Sequence, residues 1–275
     1  MNFSTVKLQT MKVEGKVAWI TGASSGIGAA LAAELFDRGA TVILSARSAA
    51  KLEEIKVRFG EKAPGRCIVL PCDVTSRSSV QEALDQVKQL AGRVDILINN
   101  AGVSQRSYAL NTSLEVDREL FEVNFFGAVT VTKGIAPGMV SQGSGHIVVI
   151  SSMAGKYGFR MRSAYSASKH ALQGYFETLR AELYQDNIQV TIVCPGRIKT
   201  DISVHSLMGD GQTYGKMDKG QAQGVPVEKC ARIIVRGIEH NRKEIFIGKR
   251  ELLLLIIKRV CPQLYYRIVS HASPT

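Results

Sequence analysis

The chain has 275 residues, of which 45% are hydrophobic, and a formal net charge of +11 at pH 7. The length suits one large α/β domain. The five cysteines are scattered without metal-ligand spacing, so the sequence implies neither a disulfide framework nor a metal site. Their use indicates a reduced compartment. The positive charge would suit nucleic acid or an anionic surface, and it equally suits a polyanionic cofactor.

The first predicted strand, 16–20, leads directly into a glycine-rich turn, 21–28, and a helix that continues through Leu35. Glycines let the backbone approach a pyrophosphate, and the helix N-terminus offers unpaired N–H groups and the positive end of the dipole. A glycine motif alone also fits an ordinary tight turn, but its place between a strand and a helix favours a dinucleotide site. The residues predicted to contact the cofactor here are Gly22, Ser24, Ser25, Gly26, Ile27 and Gly28.

The second predicted strand, 41–45, ends in Ala46-Arg47-Ser48. A site that selects NAD places an acidic side chain at this point for the ribose hydroxyls, whereas an arginine suits the 2′-phosphate of NADP. No Asp or Glu follows this strand, and Arg47 with Ser48 offers several hydrogen-bond donors. The sequence therefore favours NADP(H).

Two further strand ends complete the predicted cofactor site. A helix over 49–59 and a strand over 66–72 lead to Asp73 and Val74, where Asp73 either holds the adenine amino group or caps the helix 76–90. The strand 94–98 is followed by Asn99-Asn100-Ala101-Gly102, whose side-chain amides suit a loop tying neighbouring strands together. The small residues Ala101 and Gly102 let that loop pass close to a cofactor.

The predicted reaction centre lies beyond a buried strand, 146–150, which ends near Ser152. Tyr165 and Lys169 are four residues apart on a predicted helix, so the phenol and the ammonium share one face. A cation beside a phenol lowers its pKa towards neutrality, which makes Tyr165 a usable proton donor and acceptor. A Tyr–Lys pair is often only a solvated surface pair, but Tyr165 is the only one of eight tyrosines with a lysine at the fourth position after it.

Five motifs together resemble the single-domain short-chain dehydrogenase/reductases. They are Thr21-Gly22-x3-Gly26-x-Gly28, Asn99-Asn100-Ala101-Gly102, Ser152, Tyr165-x3-Lys169 and Pro195-Gly196, in the order and spacing of that family. The resemblance covers about residues 14–248 and implies a Rossmann-type doubly wound parallel sheet in a single domain. Within the family the chain is similar to members acting on steroids, retinoids or other lipids, such as 11-beta-hydroxysteroid dehydrogenase. It is more similar to the dehydrogenase/reductase member 7 group, whose region after Pro-Gly resembles 200–223 here.

The resemblance also implies roles for individual residues. Asn124, in a predicted helix over 114–138, would hold a water that relays protons to Lys169. Pro195 and Gly196 end the strand 188–194, and Ile198 and Thr200 would contact the nicotinamide and the pyrophosphate. Several NADP-preferring members carry a basic residue in the glycine motif where this chain has Ser25, so the predicted phosphate preference depends on Arg47.

The segment 201–224 is polar and glycine-rich, as expected of a substrate lid. Met208, Tyr214 and Met217 are candidate pocket residues, and a place on the surface fits them equally well. A helix over 227–239 and a strand over 244–247 are predicted to close the sheet. We therefore divide the chain into an extension, 1–14, a catalytic domain, 15–248, and a C-terminal segment, 249–275.

The C-terminal segment combines an apolar run, 252–257, with basic residues and Tyr265-Tyr266. From 241 to 275 seven Lys and Arg against two Glu give a net charge of +5. Six apolar residues are too few to span a bilayer, which needs about 20, but the pattern suits an interfacial membrane anchor. A segment packed over the substrate entrance or against a partner subunit is the alternative, and both interpretations stay open.

These patterns predict an NADP(H)-dependent oxidoreductase that interconverts a secondary alcohol and a ketone or aldehyde, with a lipophilic substrate such as a steroid or retinoid. We expect an intracellular protein, cytoplasmic or peripherally bound to membrane, without a signal peptide or transmembrane span, that forms a dimer or tetramer and binds no nucleic acid. Two alternatives are a non-catalytic NADP-binding regulatory protein, which the intact catalytic residues disfavour, and a sugar-nucleotide epimerase. Epimerases usually carry a larger C-terminal domain than the 81 residues that follow Cys194 here.

Overall fold

The computed structural model describes residues 10–60, 65–249 and 251–271. The strands are β1 (Val17–Thr21), β2 (Thr41–Ser45), β3 (Cys67–Val69), β4 (Ile96–Asn99), β5 (Gly145–Ile150), β6 (Ile188–Pro195) and β7 (Glu244–Ile247). The helices are α1 (Gly26–Asp37), α2 (Ala49–Arg58), α3 (Arg77–Leu90), α4 (Leu114–Phe121), α5 (Gly127–Ser141), α6 (Ser163–Glu182), α7 (Lys219–Ala222), α8 (Val227–Glu239), α9 (Glu251–Val260) and α10 (Pro262–His271).

The seven strands form one parallel sheet in the order β3-β2-β1-β4-β5-β6-β7. Apolar side chains of α1, α2 and α8 pack on one face of this sheet, and those of α3, α5 and α6 pack on the other. Because both faces are covered, the central strands are almost entirely buried, as their continuous apolar runs predict. The doubly wound α/β fold is therefore confirmed, and the reversal of strand order between β1 and β4 marks its ligand-binding edge.

Three elements differ from the sequence-based predictions. The strand predicted over 66–72 is shorter, ending at Val69, and Pro71 beyond it has no N–H with which to extend the ladder. The helix predicted over 114–138 is interrupted by a π-helical turn, Glu122–Phe126, between α4 and α5. The apolar run at 252–257 is part of the helix α9, which packs with α10 against the α3–α5–α6 side of the sheet.

The two ends of the described chain also make specific contacts. Val13, within the predicted N-terminal extension, is buried, and the N–H of Met11 donates to the carbonyl of Glu239. At the other end Tyr265 of α10 is buried, whereas Cys261, between α9 and α10, is exposed. The other four cysteines are buried. Within the described ranges no helix is both long and apolar enough to cross a bilayer.

Candidate active site

A cleft of about 610 Å³ runs along the carboxyl edge of the sheet, beyond the ends of β1, β2, β4, β5 and β6. It is lined by the predicted cofactor and catalytic residues apart from Gly28 and Asn124. A single cleft therefore brings together predicted site residues that are up to 178 positions apart in the sequence, from Gly22 to Thr200.

The glycine-rich turn is shaped for close approach to a ligand. Gly22 and Gly26 have φ angles of +65° and +54°, a conformation that favours glycine. A Cβ added at Gly28 would lie 2.3 Å from the carbonyl oxygen of Gly22, so the turn tolerates no side chain there. The turn is fixed from the neighbouring strand by Asn100, whose Nδ2 donates to the carbonyls of Thr21 and Gly22, each at 3.0 Å.

These features fit a dinucleotide. The turn keeps its backbone bare where a pyrophosphate would lie, and the N-terminus of α1 follows immediately. The hydroxyl of Thr21 accepts hydrogen bonds from the N–H groups of Asn100 and Ala101. These bonds connect the loop after β4 to the glycine-rich turn after β1. Ser24, Ser25 and Ile27 line the same part of the cleft, as predicted.

Basic side chains line the cleft beyond β2. Arg47 is exposed there, with no carboxylate at the end of the strand, and Ser48 caps α2 by accepting from the N–H of Lys51. Lys51 also lines the cleft, so Arg47 is not the sole basic side chain in this part of it. Lys51 lies in the first turn of α2, directly after the end of β2, and this position in the sequence could have identified it.

The residues after β3 and β4 complete this half of the cleft. Asp73 accepts hydrogen bonds from the N–H and hydroxyl of Thr75, while the cap of α3 is Ser76, so capping by Asp73 is excluded. Val74 lines the cleft beside it. A Cβ added at Gly102 would lie 2.9 Å from Asn124 Oδ1 and 3.4 Å from Lys169 Nζ, which explains a glycine at this position.

Ser152, Tyr165 and Lys169 converge at the other half of the cleft. Ser152 follows β5, its hydroxyl donates to the carbonyl of Pro195 at 3.4 Å, and it accepts from the N–H of Ala154 at 3.1 Å. Lys169 Nζ lies 5.9 Å from the centroid of the Tyr165 ring and donates to the carbonyl of Ile150 at 2.8 Å. The predicted shared helical face is thus present in α6, and both side chains are buried.

Burial dominates the ionisation of both groups. The pKa of Tyr165 is raised by burial, while the nearby Ser152 hydroxyl and the positive charges of Arg162 and Arg106 act in the opposite direction. Burial lowers the pKa of Lys169 to about 8. The expected lowering of the Tyr165 pKa by Lys169 is therefore not seen in this structure, because removal of the phenolate from water outweighs the attraction of nearby cations.

Asn124 lies in the π-helical turn and is buried. Its Oδ1 accepts from the N–H of Val103 at 2.8 Å, and its Nδ2 donates to the carbonyl of Val103 and to the hydroxyl of Ser168, each at 3.0 Å. The Asn124 amide thus connects the loop after β4 to α6 at Ser168, the residue before Lys169. A π-helical turn is frequent at functional sites because it changes the direction of one side chain within a helix.

The loop after β6 closes the cleft. Ile198 is buried, and Thr200 approaches the glycine turn, since a Cβ at Gly26 would lie 3.4 Å from its Cγ2. Glu251, the first residue of α9, accepts from the N–H groups of Arg197 at 3.2 Å and Lys249 at 3.0 Å. The C-terminal segment therefore contributes directly to the wall of the cleft.

The sequence prediction missed a buried charged cluster in the substrate half of the cleft. Arg106 Nε donates to Asp218 Oδ2 at 2.9 Å, and Arg162 Nη2 lies 3.2 Å from the same oxygen. Asp218 belongs to the predicted lid, which Arg106 and Arg162 hold in place. The lid residues that line the cleft are Asp201, Ile202, His205, Leu207, Thr213, Asp218, Gly220 and Gln221, and the candidates Met208, Tyr214 and Met217 are not among them.

Comparison with known proteins places these features in context. Residues 16–208 match the family of short chain dehydrogenases. A dehydrogenase/reductase SDR family protein 7-like of Drosophila melanogaster is 40% identical over 263 residues, 94% of this chain and 81% of that protein. Dehydrogenase/reductase SDR family member 7B of Xenopus laevis is 39% identical over 264 residues, 94% of this chain and 82% of that protein.

Solved structures share the fold. A Burkholderia cenocepacia short chain dehydrogenase in complex with NADP is 27% identical, with a TM-score of 0.78 over 94% of this chain and 99% of that one. A Burkholderia phymatum short chain dehydrogenase/reductase in complex with NAD is 24% identical, with a TM-score of 0.80 over 96% of this chain and 98% of that one. The second likeness is one of fold alone.

Proposed function

The chain belongs to the short-chain dehydrogenase/reductase family. From this membership we propose that it is an NADP(H)-dependent oxidoreductase that interconverts a secondary alcohol and a ketone or aldehyde. We propose further that its substrate has an apolar body. One observation carries the proposal. Ser152, Tyr165 and Lys169 converge in the same cleft as a glycine turn shaped for a dinucleotide.

The bound nicotinamide supplies hydride to the carbonyl carbon in reduction and accepts it in oxidation. Tyr165 donates its phenolic proton to the substrate oxygen in reduction and accepts it back in oxidation. The Ser152 hydroxyl donates a hydrogen bond to the same oxygen and holds it beside the phenol, since both groups line this part of the cleft. The raised pKa of Tyr165 keeps the phenol protonated near neutral pH, which favours its role as proton donor.

Lys169 and Asn124 support this proton transfer. Burial brings the pKa of Lys169 to about 8, so the amine loses or gains a proton at pH values close to neutral. The amide of Asn124 fixes the strand-to-loop junction at Val103 against α6 and so keeps Gly102 beside Lys169. In this proposal Asn124 is a positioning residue that also supports a water relay to Lys169.

The preference for NADP(H) is supported by charge at the end of β2. Arg47 and Lys51 line the cleft there, and a planar guanidinium suits a phosphate. A solved relative holds NADP and another holds NAD, so both dinucleotides suit this fold. The lipophilic part of the proposal is supported by Met153, Phe159 and Leu207, which line the cleft beyond the catalytic residues.

The test measures oxidation of NADPH and NADH with a panel of apolar ketones and aldehydes. We expect turnover with NADPH, and the Tyr165→Phe variant should lose about a hundred- to ten-thousandfold in kcat while binding NADPH with nearly unchanged Kd. Tyr175→Phe, on the same helix but outside the cleft, is the matched control and should keep wild-type kcat. Wild-type turnover by Tyr165→Phe would exclude this mechanism.

A further inference from the structure

Gln105, in the loop after β4, is completely buried although its side chain is polar. Its Oε1 accepts from the N–H of Tyr165 at 3.2 Å. Its Nε2 lies 3.0–3.2 Å from three hydroxyl groups, those of Ser107, Thr112 and Ser163. Burying an amide is costly unless it is hydrogen-bonded, and these bonds account for a glutamine at this position. Gln105 does not line the cleft, so it acts on the proposed reaction only through its neighbours.

The bond from Tyr165 to Gln105 takes the place of a missing helix cap. Tyr165 is the third residue of α6, and the N–H groups in the first turn of a helix have no carbonyl partner within that helix. The side chain of the residue before a helix ordinarily accepts from one of them. Here that residue is Arg162, whose guanidinium has only donors and makes no such bond. Gln105 supplies the acceptor from 60 residues away in the sequence, so the loop after β4 holds the start of the catalytic helix.

The turn before α6 is held in an unfavourable backbone conformation by the same loop. Met161 has a φ of +61°, which residues with a side chain rarely adopt, and its carbonyl accepts from the N–H of Ser107 at 3.3 Å. The loop also pairs with the lid. The N–H of Leu207 donates to the carbonyl of Ser104, and the N–H of Arg106 donates to the carbonyl of Leu207, each at 2.8 Å. This loop therefore connects the lid with the start of α6.

We propose that Gln105 is a positioning residue for Tyr165, holding the first turn of α6 so that the phenol stays within reach of the substrate oxygen. This inference rests on the proposed function, which it makes more specific. The amide fixes the turn at two points, the N–H of Tyr165 and the hydroxyl of Ser163. Its orientation is set as well, because only the oxygen of an amide accepts from an N–H. Proton transfer needs donor and acceptor about 3 Å apart, and a displacement of about 1 Å reduces the rate by about a hundredfold.

The first test compares two substitutions at Gln105, using NADPH and a ketone or aldehyde that the wild type reduces. Gln105→Met conserves the side-chain volume but removes the acceptor for Tyr165, so kcat should fall about ten- to a hundredfold while the Kd of NADPH stays within about twofold of wild type. Gln105→Glu keeps an oxygen at this place, and the three hydroxyls can turn to donate to it, so kcat should return to within about threefold of wild type. Val235→Ala, buried in α8 on the other face of the sheet, controls for lost stability and should keep wild-type kcat. Wild-type kcat in Gln105→Met, or equal kcat in the two Gln105 variants, would overturn the positioning role.

Hydrogen exchange tests the same contact without any substrate. In Gln105→Met, backbone amides in peptides covering 163–168 should exchange at least about tenfold faster than in the wild type, whereas those covering 172–182 should be unchanged. Val235→Ala should not single out the first turn of α6 in this way. Unchanged exchange over 163–168 in Gln105→Met would overturn the proposal, because the bond would then not hold the turn. If the wild type oxidises NADPH with none of the carbonyl substrates, the oxidoreductase proposal fails, and the exchange result still decides whether Gln105 holds the start of α6.

Discussion

We expect Arg47 and Lys51, which both line the cleft beyond β2, to share the recognition of the proposed 2′-phosphate. A charge-assisted hydrogen bond contributes about 1.5–3 kcal/mol, so Arg47→Ala should weaken NADPH binding by roughly ten- to a hundredfold. NADH binding should change little, and Lys51→Ala should act in the same direction with a smaller loss. Lys56→Ala is the control, because that side chain lies 3.8 Å from Glu53 and outside the cleft. Equal losses of NADPH and NADH affinity, measured by titration, would remove Arg47 from the phosphate site.

The buried ammonium group of Lys169, which the proposed chemistry requires, lowers the free energy of unfolding. Its pKa falls from 10.5 to about 8 on burial, a difference that corresponds to about 3 kcal/mol. Lys169→Met should therefore lose turnover yet gain about 2 kcal/mol in the free energy of unfolding near pH 7, after loss of the bond to Ile150.

The pH dependence of this gain follows from linkage. Between about pH 8 and 10.5 the unfolded chain binds more protons at Lys169 than the folded chain does, so the penalty in the wild type fades as the pH rises. The stability advantage of Lys169→Met should thus be largest below about pH 8 and nearly absent at about pH 10.5, as measured by urea unfolding. A constant advantage across this range would show that the charge of Lys169 is not its cause.

The sequence predicts a site residue well when its partners in the site are close to it in the sequence. Tyr165 and Lys169 share one helix, and the glycine turn is continuous, so their spacing predicts their proximity. Arg106, Arg162 and Asp218 are brought together across separations of 112 and 56 residues by loops without periodicity. Met208, Tyr214 and Met217 were chosen as pocket residues for their side-chain type, but the path of the lid turns them away from the cleft.

The C-terminal helices make specific hydrogen bonds to the segment that leads into the catalytic helix α6. The hydroxyl of Tyr265 donates to the carbonyl of Gly158 at 3.1 Å, Lys258 Nζ donates to that of Lys156 at 2.8 Å, and the hydroxyl of Tyr157 donates to that of Glu251 at 2.9 Å. Through these bonds α9 and α10 hold the segment between Ser152 and α6 in place. This face of α9 and α10 therefore packs on the protein, while packing over the substrate entrance or against a partner subunit stays a prediction.

We expect Tyr265→Ala to reduce the free energy of unfolding by about 3–5 kcal/mol, because it removes a buried aromatic ring and the bond to Gly158. The neighbouring Tyr266 is 58% exposed, and Tyr266→Ala should change stability by less than about 0.5 kcal/mol. Chemical unfolding of the two variants provides the comparison. Similar losses for both would mean that α10 is held by other contacts.

The molecule as a whole presents an apolar outer face on these same helices. Leu253, Ile256, Val260, Leu264 and Tyr266 are exposed there, and Arg259 and Arg267 on the same helices are exposed as well. The membrane interpretation of this segment therefore stays a prediction about its outer face. Each basic residue near an anionic surface contributes about 1 kcal/mol, and buried apolar area would add to that.

The protein should accordingly co-sediment with anionic liposomes, more weakly at high salt. Replacement of Leu253 and Ile256 by Ser together with Arg259→Glu and Arg267→Glu should release it. Val57→Ser with Lys56→Glu, on helix α2, is the control and should leave liposome binding unchanged. A wild-type protein that stays in the supernatant with anionic lipid at low salt would end the membrane hypothesis.

All seven strands of the sheet, in contrast, could be predicted. Seven apolar runs separated by helical patterns specify parallel strands, and right-handed crossovers leave few topologies for them. The length of β3, the interrupted helix around Asn124 and the helix α9 departed from expectation. The π-helical turn inserts one extra residue that no hydrophobic pattern encodes.

The distribution of thiols has a practical consequence for following these helices. Burial raises the pKa of Cys67 and Cys194 to about 11 and that of Cys230 to about 12, so these groups stay protonated and shielded from electrophiles near neutral pH. Cys72 is buried as well, which leaves Cys261 as the exposed thiol, between α9 and α10. A maleimide dye would therefore attach to the natural chain at this one junction, and its fluorescence would report directly whether the C-terminal helices stay seated or lift away.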